Sequence, residues 1–188
     1  MIVTRVALPN KANVLLLENA LPVTLLADLH NDILDQFVPG HEDWVIPELT
    51  QSSTRYQYKG SHTTYNQLEE YMSSPAMLAR LQGEVQSPDL SYSYMRLLVD
   101  LPGYGPLKEH VELAGEHVAQ IYFTRTPDPY HGTSIHNQQK ELLFTLPYRD
   151  NFGWFFDVGT TVMHSRLQDV LPGLNRFSLM LWYGYHYR

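Results

Sequence analysis

The second half of the chain constrains the fold most. From Tyr92 onward, YSYMRLLVDLP, LKEHVEL, HVAQIYFTR, GTSIHN, ELLFTLPYR, NFGWFFDVG and NRFSLMLWYGY are seven short apolar or alternating runs. They are separated by PGYG, TPDP, RDN and LPG, which is turn chemistry. Alternation puts every second side chain on one face of a sheet, so these runs predict strands. With TTVMHSRL they make about eight strands, the number expected of a double-sheet jelly roll or small barrel.

The first half reads differently. VTLLADLHNDILDQF, residues 23 to 37, carries apolar residues at helical spacing and predicts an amphipathic helix. NQLEEYMSS and SPAMLARLQGEV predict two more, with Ser74 as N-cap and Pro75 in the first turn. NVLLL predicts a short strand, and the Pro-, Gly-, Ser- and Thr-rich stretch after Phe37 predicts loop with one strand near WVI. The expected fold class is therefore α+β, mainly β, with a double-stranded β-helix (jelly-roll) core and supporting N-terminal helices. A length of 188 residues fits one domain, 1–188, divided into a helical and loop support over 1–90 and a jelly-roll catalytic core over 91–188.

Composition narrows the function classes. A net charge of −7 argues against a nucleic-acid partner, because phosphate binding needs a basic patch. The absence of cysteine excludes disulfides, thiolate metal sites and a cysteine nucleophile, and fits a reducing, cytoplasmic setting. The opening MIVTRVALPNKANVLLLENALP is too short and too polar for a signal peptide or a membrane span, so no membrane partner is expected.

Three His-x-acid pairs occur: His30/Asp32, His41/Asp43 and His110/Glu112. Helical positions i and i+2 point about 200° apart, so His30 and Asp32 cannot grip one ion and are expected on a solvated face. His41 and Asp43 fall in a loop. His110 and Glu112 fall in a strand, where alternate residues share a face, so only they have usable geometry. A third ligand should come from a facing strand, where His164 stands. Twelve residues beyond it, Arg176 opens the last strand with Ser178 on the same face. His131 and His136, five apart, are expected on opposite faces; His117 is expected to be structural or exposed.

This ordered set, His110-Val111-Glu112, GTSIH, LPYRDN, His164-Ser165 and Arg176-Phe177-Ser178, resembles the Fe(II)- and 2-oxoglutarate-dependent oxygenases. The likeness is to the prolyl-hydroxylase-like and small phage or bacterial branches, and covers roughly residues 92 to 185. It implies iron held by His110, Glu112 and His164. It also implies 2-oxoglutarate anchored by Arg176 and Ser178, with Tyr122 against it. One departure is the acid, Glu112, where the family mostly has Asp; Glu keeps the charge and the hard oxygen donor but is a methylene longer.

Physical chemistry supports the same assignment. Two imidazoles and a carboxylate on one face suit non-haem Fe(II) and leave positions open for other ligands. The planar fork of Arg binds both oxygens of a distant carboxylate. The implied activity is a dioxygenase that hydroxylates a small-molecule or peptidyl substrate while 2-oxoglutarate becomes succinate and carbon dioxide. Specificity is expected from residues 38–90 and 126–139. A jelly roll that binds without catalysing, and a cupin-like metalloenzyme that does not use 2-oxoglutarate, are the competing readings.

Overall fold

Strict alternation along the last strand sets the layering. In β12 (Arg176–Tyr185), Phe177, Leu179, Leu181 and Tyr183 face one side, and Arg176, Ser178, Met180 and Trp182 face the other. The computed structural model describes residues 1–9, 13–47, 53–85, 89–111, 116–156 and 162–185. The other strands, in chain order, are β1 (Ile2–Ala7), β2 (Asn13–Glu18), β3 (Trp44–Val45), β4 (Arg55–Tyr58), β5 (Leu90–Asp100) and β6 (Leu107–His110). After them come β7 (Glu116–Phe123), β8 (Ser134–His136), β9 (Leu142–Thr145), β10 (Phe152–Phe156) and β11 (Met163–Arg166).

Eight strands form one sheet in the order β1-β2-β10-β7-β12-β5-β4-β3, and four form a second in the order β6-β11-β8-β9. Every pairing between them is antiparallel. All eight runs read from the second half of the sequence are strands. β1 and β4 were not expected. Both sit near the ends of the large sheet, where side chains stay partly wet and the apolar alternation is diluted.

Three helices, α1 (Val23–Leu29), α2 (Thr63–Ser73) and α3 (Pro75–Val85), cover one face of the large sheet. Leu25 and Leu29 of α1, Leu68 and Met72 of α2, and Met77 and Leu81 of α3 pack with Leu97, Val99, Ile121, Leu179 and Leu181 in one apolar layer. Each of those side chains gains about 1.5–3 kcal/mol by leaving water, and this burial outweighs the short length of the helices. Ser74 caps α3 as expected, its hydroxyl accepting the Met77 N–H at 3.3 Å. A second layer, including Val118, Tyr122, Ile135, Tyr148, Trp154 and Phe156, fills part of the space between the two sheets.

The expected helix over 23–37 ends early. After Leu29 the chain makes a π-helical turn over His30–Leu34. His30, expected on a solvated face, is buried at 3 % exposure. Its Nε2 lies 2.9 Å from the Asp150 carboxylate, which also accepts the Thr124 N–H at 3.0 Å. His30 lies four residues before the buried Leu34, so it shares the apolar stripe rather than the polar one. Residues 1–90 thus supply four strands to the large sheet as well as the helices.

Backbone spacing between β10 and β7 sets one sharp requirement. A Cβ on Gly153 would collide with the Gln120 carbonyl, whereas one on Gly83, exposed in α3, would meet nothing within 4 Å. We expect Gly153→Ala to destabilise the fold by about 1–3 kcal/mol through overpacking. Gly83→Ala should stabilise it by about 0.5–1 kcal/mol through helix propensity. Urea unfolding of both variants beside the parent measures the contrast in sign.

Candidate functional site

A cavity of about 180 Å³ opens between the two sheets. β6 and β11 bring two imidazoles to it: His110 and His164 are direct cross-strand partners, with ring centroids 4.2 Å apart. His164 is buried against Trp154 and Phe156, while His110 is exposed at the rim. The tautomers follow from the backbone. His164 Nδ1 lies 3.2 Å from the Val162 carbonyl and His110 Nδ1 lies 2.8 Å from the Lys108 carbonyl. A carbonyl only accepts, so each Nδ1 carries a proton, and in the neutral ring the lone pair falls on Nε2. That is the donor state a metal requires, with the far nitrogen oriented by a backbone oxygen. Glu112, the expected carboxylate, lies outside the described residues. Among the described residues no three His, Cys, Asp or Glu side chains are grouped closely enough to hold a metal ion.

The deep end of the cavity is built on one carboxylate. Asp100, at the end of β5, is flanked in register by Arg176 of β12 and Arg55 of β4. Arg55 Nε donates to it at 2.6 Å and Arg176 Nη1 at 3.1 Å. Arg166 of β11 crosses from the small sheet, its Nη1 donating at 2.9 Å. Asp100 has no solvent exposure. Burial alone would raise its pKa, but the Arg55, Arg176 and Arg166 charges together hold it below the usual carboxylate value. Burial first, and the neighbouring Arg176 charge second, pull Arg166 down to about 10, still cationic at neutral pH. Three guanidinium groups therefore share one anion.

Arg176 points into the cavity and is 3 % exposed. Its Nε donates to the His131 carbonyl at 3.0 Å, and its Cζ lies 5.1 and 5.8 Å from the Tyr122 and Tyr148 ring centroids. Of its five N–H groups, the His131 and Asp100 bonds use two. The remaining three can meet a further anion.

Beside Arg176 a chain of hydrogen bonds has a fixed direction. Tyr122 Oη accepts from Thr133 N–H at 2.9 Å and from Trp154 Nε1 at 3.0 Å, so its own proton goes to Thr133 Oγ1 at 2.6 Å. Thr133 Oγ1 donates to Gln120 Oε1 at 3.0 Å, and Gln120 Nε2 donates to Ser178 Oγ at 3.1 Å. The Ser178 proton ends the chain and finds no acceptor among the described residues. The Tyr122 hydroxyl is thus engaged by Thr133 and Trp154, while its ring forms the wall behind Arg176.

The other histidines are held elsewhere. His136 Nε2 meets Ser165 Oγ at 2.7 Å, and His131 Nδ1 lies 2.9 Å from Asp128. His117 stacks on Phe155 at 5.7 Å on the helix-facing side of β7. His41 stays in an exposed loop, 3.6 Å from Asp43. Sequence reasoning singled out neither Asp100 nor Arg166. The signal for Arg166 was its i+2 spacing from His164 on a strand; the signal for Asp100 was an acid closing the apolar run LLVD.

No family profile and no curated protein sequence matches this chain. Solved structures do. A prolyl-4-hydroxylase of Pseudomonas putida aligns with a TM-score of 0.68 at 14 % identity, over 91 % of this chain and 92 % of that one. A prolyl hydroxylase from Trichoplax adhaerens, in complex with a hypoxia-inducible-factor oxygen-degradation-domain peptide, aligns with a TM-score of 0.68 at 12 % identity, over 92 % and 83 %. HygX from Streptomyces hygroscopicus, with nickel, 2-oxoglutarate and hygromycin B bound, aligns with a TM-score of 0.65 at 12 % identity, over 93 % and 83 %. The chain has the fold of the 2-oxoglutarate/Fe(II) oxygenases: mainly β, three helices and two antiparallel sheets. Among the described residues no helix is long and apolar enough to cross a membrane.

Removing the shared anion should be costly. We expect Asp100→Asn to destabilise the fold by about 3–5 kcal/mol, since three buried cations lose their counter-charge. The pKa of Asp100 is lower in the fold than in the unfolded chain, so its contribution is complete above about pH 4 and is lost as pH falls further. Denaturant titrations between pH 5 and 2 should show the parent losing stability on acidification more steeply than Asp100→Asn.

Proposed function

We propose that this chain is an Fe(II)- and 2-oxoglutarate-dependent dioxygenase that hydroxylates a small-molecule or peptidyl substrate. One observation carries the reading. A single cavity holds two paired imidazoles whose Nδ1 atoms are oriented by backbone carbonyls, and a buried arginine with three N–H groups that take no partner among the described residues. The donor chemistry at the imidazole end fits a divalent metal: neutral His nitrogens are borderline ligands suited to Fe(II). His110 and His164 would hold it, with Glu112 as the carboxylate. Bound iron would supply the dioxygen chemistry, and the net reaction turns substrate, 2-oxoglutarate and dioxygen into hydroxylated product, succinate and carbon dioxide.

The chain's own residues do the rest. Arg176 and the Ser178 hydroxyl would take the far carboxylate of 2-oxoglutarate, Arg176 through its fork and Ser178 through the proton left at the end of the Tyr122–Thr133–Gln120 chain. Tyr122 and Tyr148, whose rings meet edge to face 5.5 Å apart, back the guanidinium and limit its motion before the acid arrives. Trp154, Leu98 and Met180 provide an apolar lining that strengthens these charge contacts by excluding water.

A second reading has a specific observation behind it: Asp100 already gives Arg176 an internal partner. A jelly-roll binding protein or a cupin-like metalloenzyme would need no keto acid. Anaerobic titration with Fe(II) and 2-oxoglutarate separates the three. The visible charge-transfer band requires metal and keto acid together, so a binding protein gives neither band nor metal affinity, and a cupin gains nothing from the keto acid.

Within the oxygenase reading, Arg176→Ala should raise the 2-oxoglutarate dissociation constant by roughly 30- to 4,000-fold, from about 2–5 kcal/mol of lost charge-assisted bonding. Iron affinity without the keto acid should change less than about threefold. Arg176→Lys should fall between, keeping the charge and losing the fork. His164→Ala should abolish the band and His41→Ala should leave it intact. An unchanged 2-oxoglutarate constant in Arg176→Ala would make Asp100 the sole partner of that arginine and remove the cosubstrate assignment.

A further inference from the structure

The cavity carries a fourth arginine that neither iron nor 2-oxoglutarate explains. Arg96 lies on the inner face of β5, directly opposite Met180 of β12. Its Cζ is 5.4 Å from the ring centroids of both Tyr94 and Trp182, which stack on each other at 4.5 Å with 16° between planes. No carboxylate among the described residues pairs with it. The guanidinium lies beside the aromatic stack, which favours its charge, and Arg96 lines the cavity.

Distance separates this group from the Arg176 end. Met180 is four residues beyond Arg176 on the same strand, so Arg96 stands about 13 Å along the sheet from the anchor. A five-carbon diacid spans only about 6 Å, four C–C bonds of about 1.5 Å each. Within the oxygenase reading, a keto acid with one carboxylate on Arg176 and the other at the metal has no acid group left for Arg96. Leu98, Met180 and Trp182 line the cavity beside Arg96.

Charge points the same way. Four arginines line the cavity: Arg55, Arg96, Arg166 and Arg176. With a divalent metal they bring six positive charges, and Asp100, Glu112 and a 2-oxoglutarate dianion return four. These groups would still leave an excess of two positive charges, inside a protein whose total charge is −7. In a poorly solvated cleft such an excess selects for an anionic ligand.

We propose that the primary substrate is an acid, with an apolar body over Leu98 and Met180 and a carboxylate or phosphate held by Arg96 against the Tyr94–Trp182 stack. This rests on the oxygenase reading for its placement of the metal and keto acid, but the Arg96 subsite can be tested separately. Protein loaded anaerobically with Fe(II) and 2-oxoglutarate is titrated by calorimetry with phenylacetate and with phenylacetamide, which match in shape and differ in charge.

The acid should bind at least tenfold more tightly than the amide. Arg96→Gln should bring the two within twofold while leaving the 2-oxoglutarate constant and the thermal midpoint unchanged, and Arg96→Lys should restore part of the preference. Phenyl phosphate, run beside them, identifies the preferred acid group. Equal affinity for acid and amide, no measurable binding of either, or a preference that survives Arg96→Gln would overturn the proposal. If the keto acid itself does not bind, the oxygenase reading fails. The same acid and amide pair on the metal-free protein then still decides Arg96, because only Arg96→Gln, and not Arg176→Ala, should erase the difference.

Discussion

Asp100 is the constraint on which the rest of this structure depends. It closes the longest strand of the large sheet, fully buried, with an arginine in register on each side and a third crossing from the small sheet. Apolar burial alone would let the two sheets slide over each other, because dispersion is non-directional. The Arg166–Asp100 pair is directional and joins β11 to β5, which ties the strand bearing His164 to the strand beside Arg176. Arg166 Nη2 also donates to the Tyr104 carbonyl at 2.7 Å, so the turn leading into β6 is fixed from the same point. Buried ion pairs contribute little net stability once desolvation is counted. Their value here lies in register: they hold the histidine end and the arginine end of one cavity at a set distance.

An excess of cations around that single acid has a chemical consequence. A balanced buried pair is inert, since each charge is satisfied. A three-to-one cluster is not: burial first, and the neighbouring Arg176 charge second, lower the Arg166 pKa. Aromatic rings favour the cations of this cluster: Arg55 and Arg166 lie 4.4 and 4.6 Å from the Tyr104 ring, and Arg176 lies near Tyr122 and Tyr148. An incoming carboxylate would relieve the repulsion as well as make new bonds.

Much of this was legible in the sequence because strand periodicity is strict. Arg176 and Ser178 had to share a face, and so had His164 and Arg166, whatever the tertiary arrangement. The pairing of His110 with His164 was also inferable from chemistry, since a metal site needs donors from separate strands. What could not be read was the identity of a partner across the sheet. An arginine on an apolar strand needs an anionic partner, since burying an unpaired charge is prohibitive. The structure supplies Asp100, and the case for an external anion passes to the count of cations. β1 and β4 escaped notice for a related reason: an outlying strand is half wet, so its alternation is blurred by polar residues that a central strand would exclude. His30 misled because a short helical segment defines its apolar stripe poorly, and a π-helical turn shifts it.

The likeness to solved oxygenases at 12–14 % identity shows how little sequence the fold demands. Two antiparallel sheets need alternating apolar residues, turns at fixed intervals and a few glycines where backbones approach. Many sequences meet those terms. Chemistry is more demanding, because it requires particular residues at inward positions, where a polar side chain is costly unless satisfied. In this chain the inward polar residues are not scattered. His164, Arg166, Arg176, Gln120 and Thr133 line one cavity, with Ser178 behind Gln120; Asp100 joins the two arginines, and a second chain of hydrogen bonds runs from Thr133 through Gln120 to Ser178. A fold kept only as a scaffold gains nothing from such a cluster, since apolar replacements of similar volume would pack the same space without desolvating charge. Six polar side chains retained together at the one place where both sheets face inward are therefore the strongest physical reason to look for a reaction there.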